Sequence, residues 1–373
     1  MVNRQAAIER LTLALAELRR HCDDFPVLGI LWGHMKHPIH PLQQQLLDEL
    51  CVGQDGAAPQ VASAAAIRDI PLWQDAGRFL GRLIVGFMHA ISIAVRVGWL
   101  RVRLRQAIAV LKREQVDLIA ETWRFGDAPR PGEQDFYFGD LQQKLDERQV
   151  RLMYLWKDPR GWGWPAAFRA HRSAVQTRQL PLLCLLPLSA PFQLLCRKFM
   201  AAVRLRRLAL RASDPLLKRL AWCASQESLS HRTMVVGLYY WIAQAAVCAW
   251  HPKAFITLYE GHGWEQSSWF GAQAVDPSCR TVGYQHTILL RHNHELIRPD
   301  DETPGQVRPN IVLCTGSRTQ AILQSSHRRS TLIAAGLSLA LGLVYLATLA
   351  PGLTWANRGE DGGDLIAAAA TGG

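Results

Sequence analysis

The sequence lacks the cysteine pairs, the signal-peptide core and the repeats that would place it in several common classes of protein. None of its eight cysteines forms a CxxC pair, and several lie in apolar runs such as Leu182–Leu185. This predicts buried free thiols rather than disulfides or zinc ligands. Residues 1–20 predict an amphipathic helix that contains Glu9 and Glu17, which excludes a signal peptide. No internal repeat or low-complexity tract occurs.

Acidic residues are scarce in most of the chain. The net charge is +11, but the segment from Thr331 onward has only Arg358 against Glu360, Asp361 and Asp364, so residues 1–330 carry +13. This excess predicts an anionic partner. Nucleic acid is the least favoured, because no zinc-finger, RNP-like or helix-turn-helix motif is present. Arginines beside apolar runs, as in Arg101–Arg105, favour an anionic membrane surface, with a solvated basic face as the alternative.

One apolar run is free of charge over the length of a membrane span. Residues 331–350 extend over about 30 Å as a helix, which matches the hydrocarbon core of a bilayer. His327, Arg328 and Arg329 precede the run, so residues 1–330 are expected on the cytoplasmic side of the inner membrane. The acidic tail, 351–373, is then expected on the non-cytoplasmic side of a single-pass protein.

Two other apolar runs are interrupted. Residues 79–100 contain Arg82, His89 and Arg96, and an arginine near a helix centre costs roughly 2.5–3.5 kcal/mol on insertion. We therefore expect a core helix or a surface-lying helix there. Residues 180–195 contain three prolines, which predict a buried irregular segment or a monotopic membrane contact.

The middle of the chain alternates between β-rich and helical runs. The predicted strands are 116–120, 151–156, 254–259, 281–285 and 310–314, and helical runs precede most of them, at 101–114, 139–148, 234–250 and 264–274. This alternation predicts a mostly parallel sheet covered on both faces, which is a Rossmann-like α/β domain. The domain is expected at 116–325, after a helical N-terminal region at 1–115.

Two loops that follow predicted strands carry the candidate site. The first is Tyr259–Glu265 and the second is Tyr284–Thr287. Because functional residues in parallel sheets lie at the carboxyl ends of strands, Glu260 is expected to face His286 across a cleft as an acid/base pair. Supporting and substrate-binding positions are predicted at Tyr259, Gly261, Glu265, Gln285, Thr287 and Asn293. Glu265 is equally consistent with a structural role in the first turn of a helix.

A metal is not predicted at this site. His262, His286, His292 and His294 are close in sequence, but their spacing does not match that of a zinc site.

The runs YEGHGWE, GYQHT, NIVLCTG and DFYFGDL, taken together, resemble bacterial surface-carbohydrate biosynthesis proteins of the GT-B glycosyltransferase type. The resemblance covers roughly residues 70–323 and is most specific at 255–317. It implies sugar transfer from a nucleotide-sugar donor to a glycan or a lipid-linked acceptor at the cytoplasmic face, with no metal cofactor. It also implies that Glu260 and His286 are the catalytic residues.

The C-terminal segment has a second resemblance. The runs LAPGLTW and GEDGGDLIAAA are similar to the start of GT-C membrane proteins related to protein O-mannosyltransferases. Those proteins use a polyprenyl-phosphate-sugar donor, and the resemblance implies that Asp361 and Asp364 occupy the acidic catalytic positions. The two resemblances imply that a GT-B-like part and a GT-C-like part are joined near residues 327–330. A natural gene fusion, a deletion or an error in assembling the sequence would each produce this junction.

Two functional interpretations remain open. In the first, the chain is a glycosyltransferase of cell-surface polysaccharide biosynthesis. A GT-B enzyme has a second domain, which binds the donor and which would have to begin after Gly316. Only about fifteen residues separate Gly316 from the apolar run, so the donor-binding domain is missing at that place. That spacing favours the other interpretation, a non-catalytic, membrane-anchored protein that binds an acceptor or acts as a scaffold.

Overall fold

Seven parallel strands form one sheet in the structure, which is a computed structural model. It describes residues 2–21, 72–124, 130–157, 173–230, 234–286 and 307–334. The strands are β1 Leu118–Trp123, β2 Leu152–Lys157, β3 Gln179–Pro181, β4 Ala254–Leu258, β5 Arg280–Gln285, β6 Ile311–Cys314 and β7 Thr331–Ala334.

Helices surround the sheet. The helices are α1 Val2–Arg20, α2 Leu72–Leu111, α3 Leu141–Asp146, α4 Ala174–Thr177, α5 Ala190–Arg211, α6 Pro215–Ser228, α7 Met234–Trp250, α8 Gly263–Val275 and α9 Ser317–Gln324, with a 3₁₀ turn at Leu182–Leu185. The α/β class and the five predicted strands are therefore confirmed to within a few residues. The predicted helices at 1–20, 234–250 and 264–274 are confirmed in the same way.

The order of the strands places a switch point in the middle of the sheet. The order is β3-β2-β1-β4-β5-β6-β7, so the chain builds outward from β1 in one direction and then returns to build from β4 in the other. β1 and β4 are direct neighbours, with Leu118 paired to Ala254. In open parallel sheets a crevice forms outside the carboxyl ends of the strands at such a point, and ligands bind there.

The strands β1, β2 and β4 are almost wholly buried, with only Trp123 and Lys157 half-exposed at their ends. Their runs of apolar residues are what a sheet covered on both faces requires. Residues 180–186 are buried as well, so the buried irregular segment predicted at 180–195 is confirmed for its first part, whereas from Ala190 the chain is the regular helix α5. Pro181 lies in the edge strand β3, where a missing backbone donor is tolerated.

The predicted membrane helix at 331–350 is wrong for its first four residues. Thr331–Ala334 is strand β7, paired in parallel with β6 from Ile311 to Cys314. The open edge of β6 offers unpaired backbone groups, and pairing with the β-branched Thr331 and Ile333 satisfies them. The rest of the predicted span and the acidic tail lie outside the described residues.

Helix α2 is the longest element, with 40 residues. Its C-terminal half packs on the domain through the buried Val97, Leu100, Leu104 and Leu111, and Trp250 Nε1 donates to the carbonyl of Leu111 at 2.8 Å. Among the described residues, Ala76–Leu111 is also the one helix that is long and apolar enough to cross a membrane. The sequence-based interpretation had instead placed the crossing at 331–350.

Helices α7 and α8 support the carboxyl edge of the sheet next to the switch point. They approach closely at Gly271, where an added Cβ would lie 2.2 Å from the carbonyl oxygen of Tyr240. Only glycine fits this contact, so the position of α8 and of the turn that precedes it depends on Gly271.

Candidate functional site

The turn between β4 and α8 is held together by one carboxylate. Glu265 is fully buried and accepts hydrogen bonds from the backbone amides of Glu260, Gly261 and His262, at 2.9, 3.0 and 3.0 Å. Gly261 has a φ of 85°, a conformation that other residues rarely adopt. Burial raises the pKa of the Glu265 carboxyl, and the three amides oppose that rise. The role of Glu265 is thus to shape the turn.

Glu260 lies between two imidazoles. Its Oε2 is 2.8 Å from Nε2 of His262, and its Oε1 is 3.1 Å from Nε2 of His286. Hydrogen bonds from His262 and then from His286 lower the pKa of Glu260 to about 2, against the opposing effect of burial. Glu260 is therefore a carboxylate at neutral pH. The predicted juxtaposition of Glu260 and His286 is present, because β4 and β5 are neighbours.

The other nitrogen of His286 faces away from Glu260. Nδ1 is buried and has no hydrogen-bond partner among the described residues, while the side chain as a whole is 13% exposed. The ring packs edge-on against Tyr137, with centroids 4.8 Å apart. A buried polar atom without a partner costs roughly 1–3 kcal/mol, which is typical of an atom that a ligand or a water contacts.

Tyr137 comes from the DFYFGDL segment, which follows β1. Asp135 fixes this segment by accepting hydrogen bonds from the amides of Tyr137 and Phe138, both at 2.9 Å, and from the hydroxyl of Thr122 at 3.0 Å. Burial raises the pKa of Asp135, and these donors oppose the rise. Sequence reasoning noticed the motif but did not place it in the site. The spacing of Asp135 and Tyr137 is common in proteins, so it does not reveal that Tyr137 contacts His286, which follows β5.

A second polar group lies at the same edge, between β1 and β2. The ammonium of Lys157 is 3.8, 4.7 and 4.8 Å from the ring centroids of Trp123, Tyr239 and Trp264, an arrangement that stabilises a cation. Glu121 is buried nearby and accepts a hydrogen bond from Ser268 at 2.9 Å. Burial raises the pKa of Glu121 to about 8, while Ser268 and Lys157 oppose the rise. Sequence reasoning missed this group, whose members come from four separate elements, β1, β2, α7 and α8.

Two predicted substrate-binding residues are buried away from the cleft. The hydroxyl of Tyr259 contacts His327 Nε2 at 2.5 Å and accepts from Arg308 at 2.7 Å, and Gln285 accepts from Thr315 at 3.2 Å. Tyr259 and Gln285 are both 0% exposed. Side chains along a strand alternate between the two faces of the sheet. Tyr259 and Gln285, which precede Glu260 and His286, therefore point into the packed interior of the protein rather than into the cleft. Both side chains thus have partners inside the protein, and their contact with a substrate stays a prediction.

Four predicted site residues, Thr287, Asn293, Asp361 and Asp364, lie outside the described residues. Within the described ranges, no group of three or more His, Cys, Asp or Glu side chains has the geometry of a metal site. The described cysteines are free thiols, and Cys184, Cys279 and Cys314 are buried.

No protein-family model, curated protein or solved structure matches this chain. The features that bear on function are therefore the contacts of Glu260, His262 and His286 at the carboxyl edge of the sheet.

Proposed function

We propose that this protein is a glycosyltransferase-like protein of cell-surface polysaccharide biosynthesis, in which His286 and Glu260 form a catalytic dyad. His286 removes the proton from an acceptor hydroxyl, and Glu260 orients and stabilises the imidazole. The observation that carries the proposal is the contact between Glu260 Oε1 and His286 Nε2, at 3.1 Å, together with the unpartnered Nδ1 on the far side of the ring.

The hydrogen-bond partners determine the tautomer of His286. Because Glu260 is ionised, it accepts a hydrogen bond from the N–H at Nε2 of His286, and in the neutral tautomer of the ring the lone pair then lies on Nδ1. A neutral nitrogen next to an ionised carboxylate is suited to general-base catalysis, since the imidazolium that forms is stabilised by the negative charge.

The location of the dyad supports a transferase with a Rossmann-like domain. Glu260 follows β4, which with β1 forms the switch point of the sheet, and the order of strands β1 to β6 is that of dinucleotide-binding Rossmann folds. The resemblance of the segments around Glu260 and His286 to GT-B proteins supports the same reaction. The positive charge of residues 1–330 suits a donor that carries a diphosphate.

The reaction conserves atoms and charge. The acceptor hydroxyl transfers its proton to Nδ1 of His286, and its oxygen forms a bond to the anomeric carbon of the donor sugar. The bond between that carbon and the diphosphate oxygen breaks, and the nucleoside diphosphate leaves with the electron pair. The imidazolium, paired with Glu260, then releases the proton to solvent.

The test uses the full chain in detergent micelles with UDP-hexoses and GDP-hexoses as probes. Saturable binding is measured by saturation-transfer NMR, and release of the nucleoside diphosphate is measured with a lipid-linked saccharide as the acceptor. We expect His286→Asn to lower the release rate by roughly 10²- to 10⁴-fold, because a general base contributes about that much. Binding of the probe is expected to stay unchanged.

His262→Asn is the matched control. It removes the other imidazole from Glu260 and leaves His286 in place, so its effect on turnover is expected to be much smaller. Glu260→Gln is expected to abolish turnover without unfolding the protein. The dyad is wrong if His286→Asn turns over as fast as the parent protein. If none of the nucleotide-sugars shows saturable binding, the proposal of a transferase is wrong and a non-catalytic scaffold is favoured.

A further inference from the structure

Between residues 80 and 102, α2 has an exposed apolar face, on which Phe87 touches Phe192 of α5 at one edge. Six exposed side chains form this apolar stripe, and they are Leu80, Ile84, Phe87, Met88, Val95 and Val102, each 49–75% exposed. At 100° per residue they lie within about 100° of each other around the helix, and at 1.5 Å per residue they extend over roughly 33 Å. Contiguous exposed apolar surface of this kind marks an interaction site.

The opposite side of α2 is held by the protein. Ala90, Ile93 and Val97 are buried in the core, and the guanidinium of Arg82 donates to the carbonyl of Gln226. Phe79 packs edge-on against Phe199 of α5, with centroids 5.9 Å apart. A helix that is fixed along one side in this way presents only its stripe to an outside partner, so it cannot cross a bilayer surrounded by lipid.

The charge of α2 indicates the kind of partner. From Ala76 to Arg113 the chain has eight basic residues and no acidic one. Among them, Arg78, Arg103 and Arg105 are exposed and lie at the two ends of the stripe. An apolar strip bordered by arginines matches the acyl chains and anionic headgroups at the surface of a membrane.

A second copy of the chain is the less suitable occupant. Two stripes paired face to face would bring the basic residues of both helices close together without any acidic residue between Ala76 and Arg113 to compensate, and like charges across an interface are unfavourable. We infer that α2 lies in the plane of an anionic membrane, with the apolar stripe in the acyl-chain boundary. This inference is independent of the proposed reaction.

The test places a photoreactive residue on the stripe. Met88→p-benzoylphenylalanine is made in the full chain, which is mixed with vesicles of phosphatidylcholine with or without phosphatidylglycerol and then irradiated. Covalent lipid adducts are counted by mass spectrometry. This readout reports on the labelled position alone, whatever other segment of the chain touches the membrane.

Leu13→p-benzoylphenylalanine is the matched control, because Leu13 on α1 is 72% exposed and lies off the stripe. We expect roughly tenfold more lipid adduct at position 88 than at position 13, since only an inserted side chain reaches the acyl chains. The yield is also expected to rise with phosphatidylglycerol. Equal yields at the two positions would overturn the inference. A covalent dimer at position 88 in place of lipid adducts would assign the stripe to a second copy.

Discussion

Glu121 in β1 and Glu260 in the turn after β4 lie near the same edge of the sheet, yet the pKa values of their carboxyl groups are shifted in opposite directions. Burial raises the pKa of Glu121 to about 8, so this carboxyl is mostly protonated at neutral pH. The imidazoles of His262 and His286 lower the pKa of Glu260 to about 2. The difference comes from burial and from the partners, because Glu121 is almost fully buried and receives one hydroxyl, whereas Glu260 is only partly buried and receives two ring nitrogens.

The comparison shows how one edge of a sheet can hold both a neutral acid and a carboxylate. A pair of carboxyl groups whose surroundings separate their pKa values is the arrangement that acid/base chemistry uses. Here the separation depends on the turn after β4, which holds Glu260 out of the core. Glu265, only five residues further on, is fully buried and organises that turn.

The largest expected effect comes from breaking the turn that separates the two carboxyl groups. Glu265→Ala removes the acceptor of three backbone amides, and we expect it to lower the free energy of unfolding by roughly 3 kcal/mol or more. Urea unfolding at neutral pH is the measurement. Glu147→Ala, at an exposed position after α3, is the control and is expected to change stability by less than about 0.5 kcal/mol. Similar losses in both variants would mean that Glu265 does not organise the turn.

A second prediction concerns Glu121 and the pH range between 4.5 and about 8. Its folded pKa of about 8 lies above the ordinary value of 4.5, so between these values the folded state binds a proton that the unfolded state has lost. Stability should therefore fall as the pH rises through this window, by up to roughly 1.4 kcal/mol per pH unit from this group. Glu121→Gln cannot titrate and should flatten the fall.

Urea unfolding at several pH values from 5 to 9 measures this slope. Glu133→Gln, at an exposed site, is the control and should keep the slope of the parent protein. An unchanged slope in Glu121→Gln would show that the buried carboxyl does not hold a proton.

The smallest effect is expected at acid pH. Glu260 is half-exposed and its folded pKa of about 2 lies below the ordinary 4.5, so its contribution to stability is present above about pH 4.5 and is lost as the pH falls towards 2. Glu260→Gln should reduce the acid sensitivity of unfolding in that range, with solvent screening keeping the effect modest. Thermal unfolding scans from pH 2 to 6 measure it. A variant as acid-sensitive as the parent protein would contradict the ion pair with the imidazoles.

Much of the fold could be predicted from local pattern. Apolar five- and six-residue runs alternating with helical runs predicted five of the seven strands. The rule that strand ends meet at one edge then predicted the proximity of Glu260 and His286. The remaining two strands, Gln179–Pro181 and Thr331–Ala334, are three and four residues long. Each forms a strand because it pairs with the open edge of a neighbouring strand, β2 for Gln179–Pro181 and β6 for Thr331–Ala334. A segment of three or four residues is too short for an alternation of apolar and polar residues that would predict such pairing.

The candidate site was less predictable than the fold. Sequence paired Glu260 with His286 but left the role of Glu265 open, because its contacts with the amides of residues 260–262 depend on the shape of the turn. Tyr137 was missed since it reaches His286 from a segment almost 150 residues away. The burial of Tyr259 and Gln285 could not be predicted either, because alternate side chains of a strand point to opposite faces and the packing of each face is decided by distant segments.

The amino-acid sequence by itself determined the α/β class, the free thiols, the basic charge and the identity of the paired residues, because these follow from composition and from periodicity along the chain. Only the tertiary structure decided which carboxyl group is a carboxylate, which ring nitrogen lacks a partner and which face of α2 is exposed. Those properties depend on burial and on contacts between distant segments, and neither is present until the chain has folded.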